Sequence, residues 1–425
     1  MTQVFYSSTL FGAMTLAAAM DAGRFGAHDR RRLLLVSNNA AIPEITPSLD
    51  EAPGFAALRS RFDEIRSWNE LIAPLHPSDW KARVIEGPML SRMIATQLGL
   101  EDGVSELVVE SVAVPPARTI AGLMRDCPIT VYSDGLMSYG PTRDPLPLEI
   151  SGRVTRLLHL ALVPELTPLL LREVGVEPDP LPDAAFTGVL DTLPAPEGLS
   201  GRAVILGQYL SALDIVTAEE EAELHASMLR ALAARGFTDV LFKPHPAAGR
   251  RHAQQLRDVA DGLGVKLSVA GETVPAELCF RALRPELVVG CFSTALMTAH
   301  RFYGIPVAGM GCELVLQRLA PYENSNRIPL TIVDAIVPRL AEDGSITDPP
   351  PVDLPALIQA VGYCMQSDHY PDLREAAAKY IETHGAEARY FKNRRLSSVG
   401  LLPPGGTARA QKPSALGRLR RALSR

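Results

Sequence analysis

The most distinctive chemical feature of the sequence is an imidazole held between two prolines. Lys243-Pro244-His245-Pro246 directly follows the apolar run Val240-Leu241-Phe242. Proline fixes φ and removes a backbone donor, so the two prolines end the predicted strand and hold His245 in a rigid turn. The carboxyl end of a strand in an open α/β sheet faces the ligand crevice, so the rigid placement of this titratable side chain makes it a candidate functional residue. A hydrogen-bonded loop histidine is the alternative interpretation.

Two adjacent hydroxyls lie further along the chain, where a predicted strand leads into a helix. Ser293 and Thr294 follow the apolar run Leu287–Gly290 and begin a helical pattern that ends near Tyr303. One hydroxyl is enough to cap a helix. Two successive hydroxyls, together with the free amides at a helix start, also make a phosphate site.

An acidic residue ends a predicted strand in the first half of the chain. The run Ile129–Tyr132 is followed by Ser133-Asp134-Gly135, and glycine permits a tight turn. Asp134 could be a general base that removes a proton from an attacking hydroxyl. It could also serve only the turn, through its own side chain.

Three further residues are weaker candidates. Glu277 comes early in a predicted helix, where an acid is favourable in any case, although its carboxylate could accept ribose hydroxyls. Lys243 could be structural or could add positive charge near a phosphate. His76 also precedes a proline, but no strand leads into it, so we expect it to lie outside the site.

Strands and helices alternate through both halves of the chain, which predicts parallel sheets. Ligands of such sheets bind beyond the carboxyl ends of the strands, where Asp134, His245 and Ser293 all lie. We therefore predict an α/β protein of the GT-B type, with two Rossmann-like domains facing a central cleft. The predicted divisions are a first, acceptor-side domain at 1–178, a Pro-rich linker without helix or strand at 179–201, a nucleotide-binding domain at 202–365, closing helices at 366–398 and a flexible basic tail at 399–425.

Composition narrows the class of protein. A length of 425 residues suggests two domains, and a net charge of −6 argues against a nucleic-acid-binding surface. Five cysteines without a Cys-x-x-Cys pair fit a reducing cytosol and provide no zinc site. No apolar run reaches membrane-spanning length. We expect a cytoplasmic protein, at the inner face of the cell membrane if its basic tail contacts lipid.

The order of these motifs resembles that of bacterial alpha-2,8-polysialyltransferases and the related lipooligosaccharide sialyltransferases. The resemblance is carried by the turn at Asp134-Gly135, the Lys-Pro-His-Pro turn, Pro275-x-Glu277 and the stretch VVGCFSTAL around Ser293-Thr294. It covers about residues 1–395 and implies a GT-B fold. The family motif has two acidic residues before its glycine, so Ser133 is a departure.

The resemblance also implies roles for the site residues. Asp134 would be the general base, and His245 would be the partner of the CMP phosphate and a candidate general acid. Ser293 and Thr294 would hold that phosphate, and Glu277 the ribose. The expected nucleotide-binding residues are Gln208, Lys243, Pro246, Glu277, Ser293 and Thr294. The sequence contains no cluster of metal ligands, so we expect that the protein requires neither a cofactor nor a metal. The CMP-sugar would be its donor substrate.

The implied activity is inverting transfer of sialic acid, or a related nonulosonic acid, from a CMP-sugar to a glycan hydroxyl in capsule or other cell-surface polysaccharide synthesis. Three alternatives stay open. A CDP-glycerol-type glycerophosphotransferase shares the His-Pro turn and the pair of hydroxyls. A catalytically silent nucleotide-sugar binding protein would share the fold, and a UDP-sugar epimerase is a third possibility. The nucleotide that the protein binds and releases separates them.

Overall fold

The computed structural model describes residues 1–133, 135–245, 251–385 and 389–402, with only the backbone described at 251–253. Two of the predicted site residues, Asp134 and Pro246, lie outside the described residues, as does the basic tail from residue 403 onward.

Two seven-stranded sheets organise the chain. Their strands, in chain order, are β1 (Thr2–Ser7), β2 (Arg31–Val36), β3 (Glu64–Ser67), β4 (Val104–Glu110), β5 (Ile129–Ser133), β6 (Val154–Leu160), β7 (Pro178–Leu181), β8 (Ala203–Leu206), β9 (Asp239–Lys243), β10 (Lys266–Val269), β11 (Leu287–Gly290), β12 (Val307–Gly309), β13 (Arg339–Leu340) and β14 (Ile346–Thr347).

The α-helices lie between and around these strands. In chain order they are α1 (Leu10–Asp21), α2 (Trp68–Ile72), α3 (Gly87–Leu98), α4 (Ala117–Leu123), α5 (Leu148–Ser151), α6 (Asp183–Thr192), α7 (Ala218–Ala234), α8 (Arg251–Leu263), α9 (Ala276–Leu283), α10 (Thr294–Tyr303), α11 (Cys312–Arg318), α12 (Arg327–Ile336), α13 (Leu354–Met365), α14 (Arg374–His384) and α15 (Asn393–Ser398).

The two sheets share one topology. The first has the order β3-β2-β1-β4-β5-β6-β7 and the second the order β10-β9-β8-β11-β12-β13-β14. Every strand pair is parallel except β13 with β14. The strand order reverses between β1 and β4 in the first sheet and between β8 and β11 in the second, and ligands bind at such switch points. The prediction of two Rossmann-like domains is confirmed.

The middle strands are buried on both faces, as their continuous apolar runs predict. The sequence pattern Thr217-x-x-Glu220 forms a capping box at the start of α7, with both reciprocal hydrogen bonds present. The end of the chain returns to contact the first domain. Tyr370, which precedes α14, donates its hydroxyl proton to Leu169 O at 2.8 Å.

The prediction of a linker without helix or strand at 179–201 is wrong. Strand β7 pairs with β6 in this stretch, and α6 follows it directly. Phe186 of α6 is fully buried, with its ring 5.2 Å from that of Phe11 in α1 and 5.3 Å from that of Phe302 in α10. The segment therefore packs both domains together. The prolines of this segment made its strand and helix hard to predict from sequence. They lie on an edge strand and just before the first helical turn, where a missing N–H costs little.

Residues 55–72 have a helix-like sequence pattern, but the structure forms no continuous helix over this stretch. The stretch contains short 3₁₀ turns, the edge strand β3, which pairs with β2, and then the short helix α2. Strand β3 has only four residues and none of them is fully buried, so it lacks the apolar alternation that would have identified it.

Candidate active site

The switch point of the second sheet is bridged by Gln208. The side chain follows β8, is buried, and accepts a hydrogen bond from the backbone N–H of Phe292 at 3.1 Å, just beyond β11. The preceding residue, Gly207, lies against Phe242 of β9, since a Cβ at Gly207 would lie 2.8 Å from the Phe242 ring. Gln208 therefore lies at the switch point and joins the ends of two neighbouring strands.

Ser293 and Thr294 lie at the start of α10, as the sequence predicted. Ser293 is the N-cap, and its hydroxyl accepts from the backbone N–H of Ala295 at 3.2 Å. Thr294 is the first helical residue, and no acidic residue occupies the first turn. The Ser293 hydroxyl thus caps the helix, whereas the Thr294 hydroxyl has a different partner.

That partner belongs to the first domain. Thr294 Oγ1 accepts a hydrogen bond from the backbone N–H of Leu136 at 3.4 Å. A Cβ on Gly135 would lie 3.1 Å from the same oxygen, so the glycine permits the contact. Gly135 and Leu136 directly follow Asp134 in the sequence. The structure therefore brings these two residues of the first domain into contact with the start of α10.

His245 follows β9 and is largely buried against Tyr209. The two rings stack with centroids 4.2 Å apart and an interplanar angle of 26°. Burial first, and then the nearby positive charge of Lys243, lower the pKa of His245 to about 4, although the charge of Glu221 acts in the opposite direction. The imidazole is therefore neutral at pH 7 without a ligand. A cationic role in phosphate binding requires that the phosphate itself raise this pKa.

Lys243 is directed at the backbone. The side chain is buried, and its Nζ donates to Pro244 O and to Glu272 O, the latter at 3.2 Å. Burial lowers its pKa to about 8, against the opposing effect of nearby negative groups that include Glu277. These two hydrogen bonds hold the turn that carries His245, and they give Lys243 a structural role.

Glu277 lies in the first turn of α9, as expected, and is buried. Its Oε1 accepts a hydrogen bond from the hydroxyl of Thr298 in α10 at 2.6 Å. Glu277 therefore ties α9 to the helix that begins with Thr294, which gives it a structural partner beside any contact with ribose.

Two residues near the switch point were missed in the sequence. Glu221 in α7 is fully buried, and its carboxylate accepts from Leu210 N at 2.8 Å, Ser211 N at 3.0 Å and the Ser211 hydroxyl at 2.6 Å. It thereby holds the loop that presents Gln208 and Tyr209. The available signals were Glu221 as a third consecutive acid in the first turn of α7, and Tyr209 as an aromatic residue directly after Gln208.

His76 lies in a turn of the first domain. Its Nε2 lies 2.9 Å from Ala40 O, and its Nδ1 accepts from Ser78 N at 3.3 Å. Among the described residues, no group of three or more His, Cys, Asp or Glu side chains could hold a metal ion.

The sequence provides the deciding comparison. Residues 3–311 match the family described as alpha-2,8-polysialyltransferase (POLYST). The chain belongs to this family. It is therefore a glycosyltransferase of the sialyltransferase kind, as the motifs around Asp134, His245 and Ser293 predicted. No match was found among curated proteins.

Solved structures with a related arrangement are distant in sequence. A sialyltransferase GT-B domain from Photobacterium damselae is 14% identical, with 78% of this chain and 96% of that one covered and a TM-score of 0.40. A glycosyltransferase from Rickettsia africae is 11% identical, with 93% and 96% covered and a TM-score of 0.41. A UDP-N-acetylglucosamine 2-epimerase from Listeria monocytogenes is 10% identical, with 86% and 97% covered and a TM-score of 0.40. These likenesses do not identify the donor or the acceptor.

None of the described helices combines the length and the apolar character needed to cross a bilayer.

Proposed function

We propose that the protein transfers sialic acid, or a related nonulosonic acid, from a CMP-sugar to a glycan hydroxyl with inversion, in cell-surface polysaccharide synthesis. The observation that supports this best is the meeting of the turn after β5 with the start of α10, at the Leu136–Thr294 hydrogen bond. This contact supports the proposal because Leu136 lies two residues after the expected base in the sequence, and Thr294 belongs to the pair expected to hold the phosphate.

The start of α10 suits a single phosphate. Backbone amides and the helix dipole favour an anion there, and the first turn carries no acid to oppose it. Thr294 Oγ1 accepts from Leu136 N, so its own proton stays available for a phosphate oxygen. CMP leaves as a phosphate monoester, and these fixed donors would stabilise the charge that develops as it departs.

His245 would act on the same leaving group. The ring is neutral without a ligand because burial lowers its pKa to about 4. A phosphate beside it would favour the imidazolium form, since an opposite charge at close range typically raises the pKa of a histidine by about 1–3 units. The donor itself would thus charge the residue that assists its departure.

Asp134 would complete the reaction from the first domain. As the acceptor oxygen forms its bond to the anomeric carbon, the bond from that carbon to the phosphate oxygen breaks. The carboxylate would take the hydroxyl proton, and CMP would carry away the electron pair of the broken bond. Attack from the face opposite the phosphate gives the inverted product.

The test is nucleotide-dependent stabilisation combined with product analysis. CMP should raise the melting temperature, and the double variant Ser293→Ala/Thr294→Ala should reduce that shift. With CMP-N-acetylneuraminic acid and a fluorescent oligosialyl-lactoside, the wild-type protein should release CMP and extend the lactoside. Stabilisation by UDP in place of CMP would overturn the assignment of the donor.

The same assay addresses the alternatives. A glycerophosphotransferase would release CMP only from CDP-glycerol, and a silent binding protein would bind CMP without turnover of the CMP-sugar. Ser211→Ala is a suitable control for the double variant, because Ser211 lies near the switch point but donates its hydroxyl proton to Glu221. This variant should keep most of the CMP-induced shift.

A further inference from the structure

A carboxylate bridges the switch point of the first sheet. Ser8 follows β1 and donates its hydroxyl proton to Oε1 of Glu110, the last residue of β4. The second sheet has the corresponding bridge between Gln208 and Phe292, at the end of β8 and beyond β11. The first switch point is thus bridged by an ionisable group at the end of β4, and the second by an amide that follows β8.

The other oxygen of this carboxylate has a partner that can be exchanged at little cost. Tyr132 OH lies 3.2 Å from Glu110 Oε2 and 3.0 Å from Tyr6 O. A phenol has one proton, so it cannot donate fully to both acceptors. If another hydroxyl donates to Oε2, Tyr132 keeps Tyr6 O as its acceptor.

Glu110 lies at the edge of the first sheet, next to the strand that leads to the Leu136–Thr294 contact. Glu110 is the register partner of Tyr132 in β5, and β5 leads into the turn whose Leu136 contacts Thr294. The carboxyl end of β4 therefore lies next to the strand that supplies the acidic-Gly turn. Glu110 is half-buried at this edge, whereas its neighbours Leu107–Val109 are fully buried.

A second glutamate on the same strand provides the contrast. Glu106 lies inside the sheet region, where Oε1 accepts from Thr130 at 2.6 Å and from Arg156 at 3.0 Å. Its Oε2 accepts from Gln3 at 3.2 Å. Glu106 thus contacts a guanidinium and an amide, whereas the contacts of Glu110 include the hydroxyls of Ser8 and Tyr132.

We propose that Glu110 accepts a hydrogen bond from a hydroxyl of the acceptor glycan and so holds the acceptor for attack. This inference rests on the proposed function, because it assigns Glu110 to the acceptor rather than to the donor. A sugar hydroxyl replaces the Tyr132 hydroxyl on Oε2 with a group of the same chemistry.

The experiment compares Glu110→Gln with Glu106→Gln and the wild type, using CMP-N-acetylneuraminic acid and the fluorescent oligosialyl-lactoside. Glu110→Gln should raise the acceptor KM about tenfold, because a hydrogen bond to a charged group is lost. Its donor KM and its rate of donor hydrolysis without acceptor should stay within about twofold of wild type. Glu110→Asp keeps the charge and should fall between the two. Glu106→Gln should lower the melting temperature and leave the acceptor KM unchanged.

The outcomes separate this inference from the proposed function. If the wild type neither binds CMP nor hydrolyses the CMP-sugar, the proposed function fails and the assignment of Glu110 to its acceptor fails with it. If the wild type transfers to the lactoside but Glu110→Gln has an unchanged acceptor KM, only the assignment of Glu110 is overturned. Equal losses in donor hydrolysis and in transfer would also overturn it, because they would make Glu110 a part of the donor site or of the fold.

Discussion

CMP binding should be coupled to protonation of His245. Without a ligand, burial lowers the pKa of this imidazole to about 4, so at pH 7 only about one molecule in 10³ carries the charge. A phosphate placed against the ring would raise the pKa, and a shift of about 2 units would bring it to about 6. The complex then binds a proton that the free protein lacks, so the affinity for CMP should increase as the pH falls.

The size of the His245 contribution follows from its two pKa values. With a pKa of about 4 in the free protein and about 6 in the complex, protonation of His245 alone would make the affinity about twofold higher at pH 6 and about tenfold higher at pH 5 than at pH 8. The CMP phosphate titrates as well, since a phosphate monoester has a second pKa of about 6. Its gain of a proton weakens binding at low pH and opposes the effect of His245.

A matched pair of variants separates the two titrations. Calorimetry at pH 5, 6, 7 and 8, in buffers of different ionisation enthalpy, gives both the affinity and the number of protons taken up. His245→Asn should keep only the titration of the phosphate, while His76→Asn should behave as the wild type, because His76 lies in a turn of the first domain with its ring nitrogens near Ala40 O and Ser78 N. If His245→Asn and the wild type take up the same number of protons, His245 stays neutral in the complex and the reasoning is refuted.

Three further predictions concern the division of labour in the site. Asp134→Asn should lower kcat by about 10²–10⁴ and leave CMP affinity within about twofold, as initial rates and calorimetry would measure; an unchanged kcat would place the base elsewhere. Transfer should persist in EDTA, and a loss that magnesium reverses would contradict the expectation of metal-independent turnover. Glu221→Ala should reduce the free energy of unfolding by more than about 2 kcal/mol and weaken CMP binding, because the amides of the loop after β8 lose their acceptor. The exposed Glu219→Ala is its control in urea unfolding and calorimetry, and equal behaviour of the two variants would show that the loop does not depend on Glu221.

The parts of the fold that the sequence predicts well are those with strong local signals. The apolar runs of β2, β9 and β11 indicate strands buried on both faces, and Ser293 and Thr217 mark helix starts through capping. Strand β3 and the segment of β7 and α6 were missed because edge strands tolerate polar residues and proline. Their identity depends on the neighbouring strand and on the packing of Phe186, which local sequence does not contain.

Some features of the candidate site can likewise be predicted from local sequence, whereas others depend on how the chain folds. The motifs at His245 and Ser293 could be placed because each follows an apolar strand directly. The neutral state of His245 could not be predicted, since it follows from burial against Tyr209, a residue of another strand's loop. The contacts of Lys243 with two backbone carbonyls likewise depend on how the turn folds back on itself.

The Leu136–Thr294 hydrogen bond has a consequence for the order of events in turnover. Because a backbone N–H of the first domain orients the hydroxyl of Thr294, the proposed donor site would be complete only while the two domains are in contact. Separation of the domains would free Thr294 to turn away, so CMP would be held less tightly in an open state. Opening would thus weaken the hold on the product, and re-closure over a fresh donor would restore it. Departure of CMP and separation of the domains would then be one kinetic step, which makes opening of the cleft a natural limit on the turnover rate.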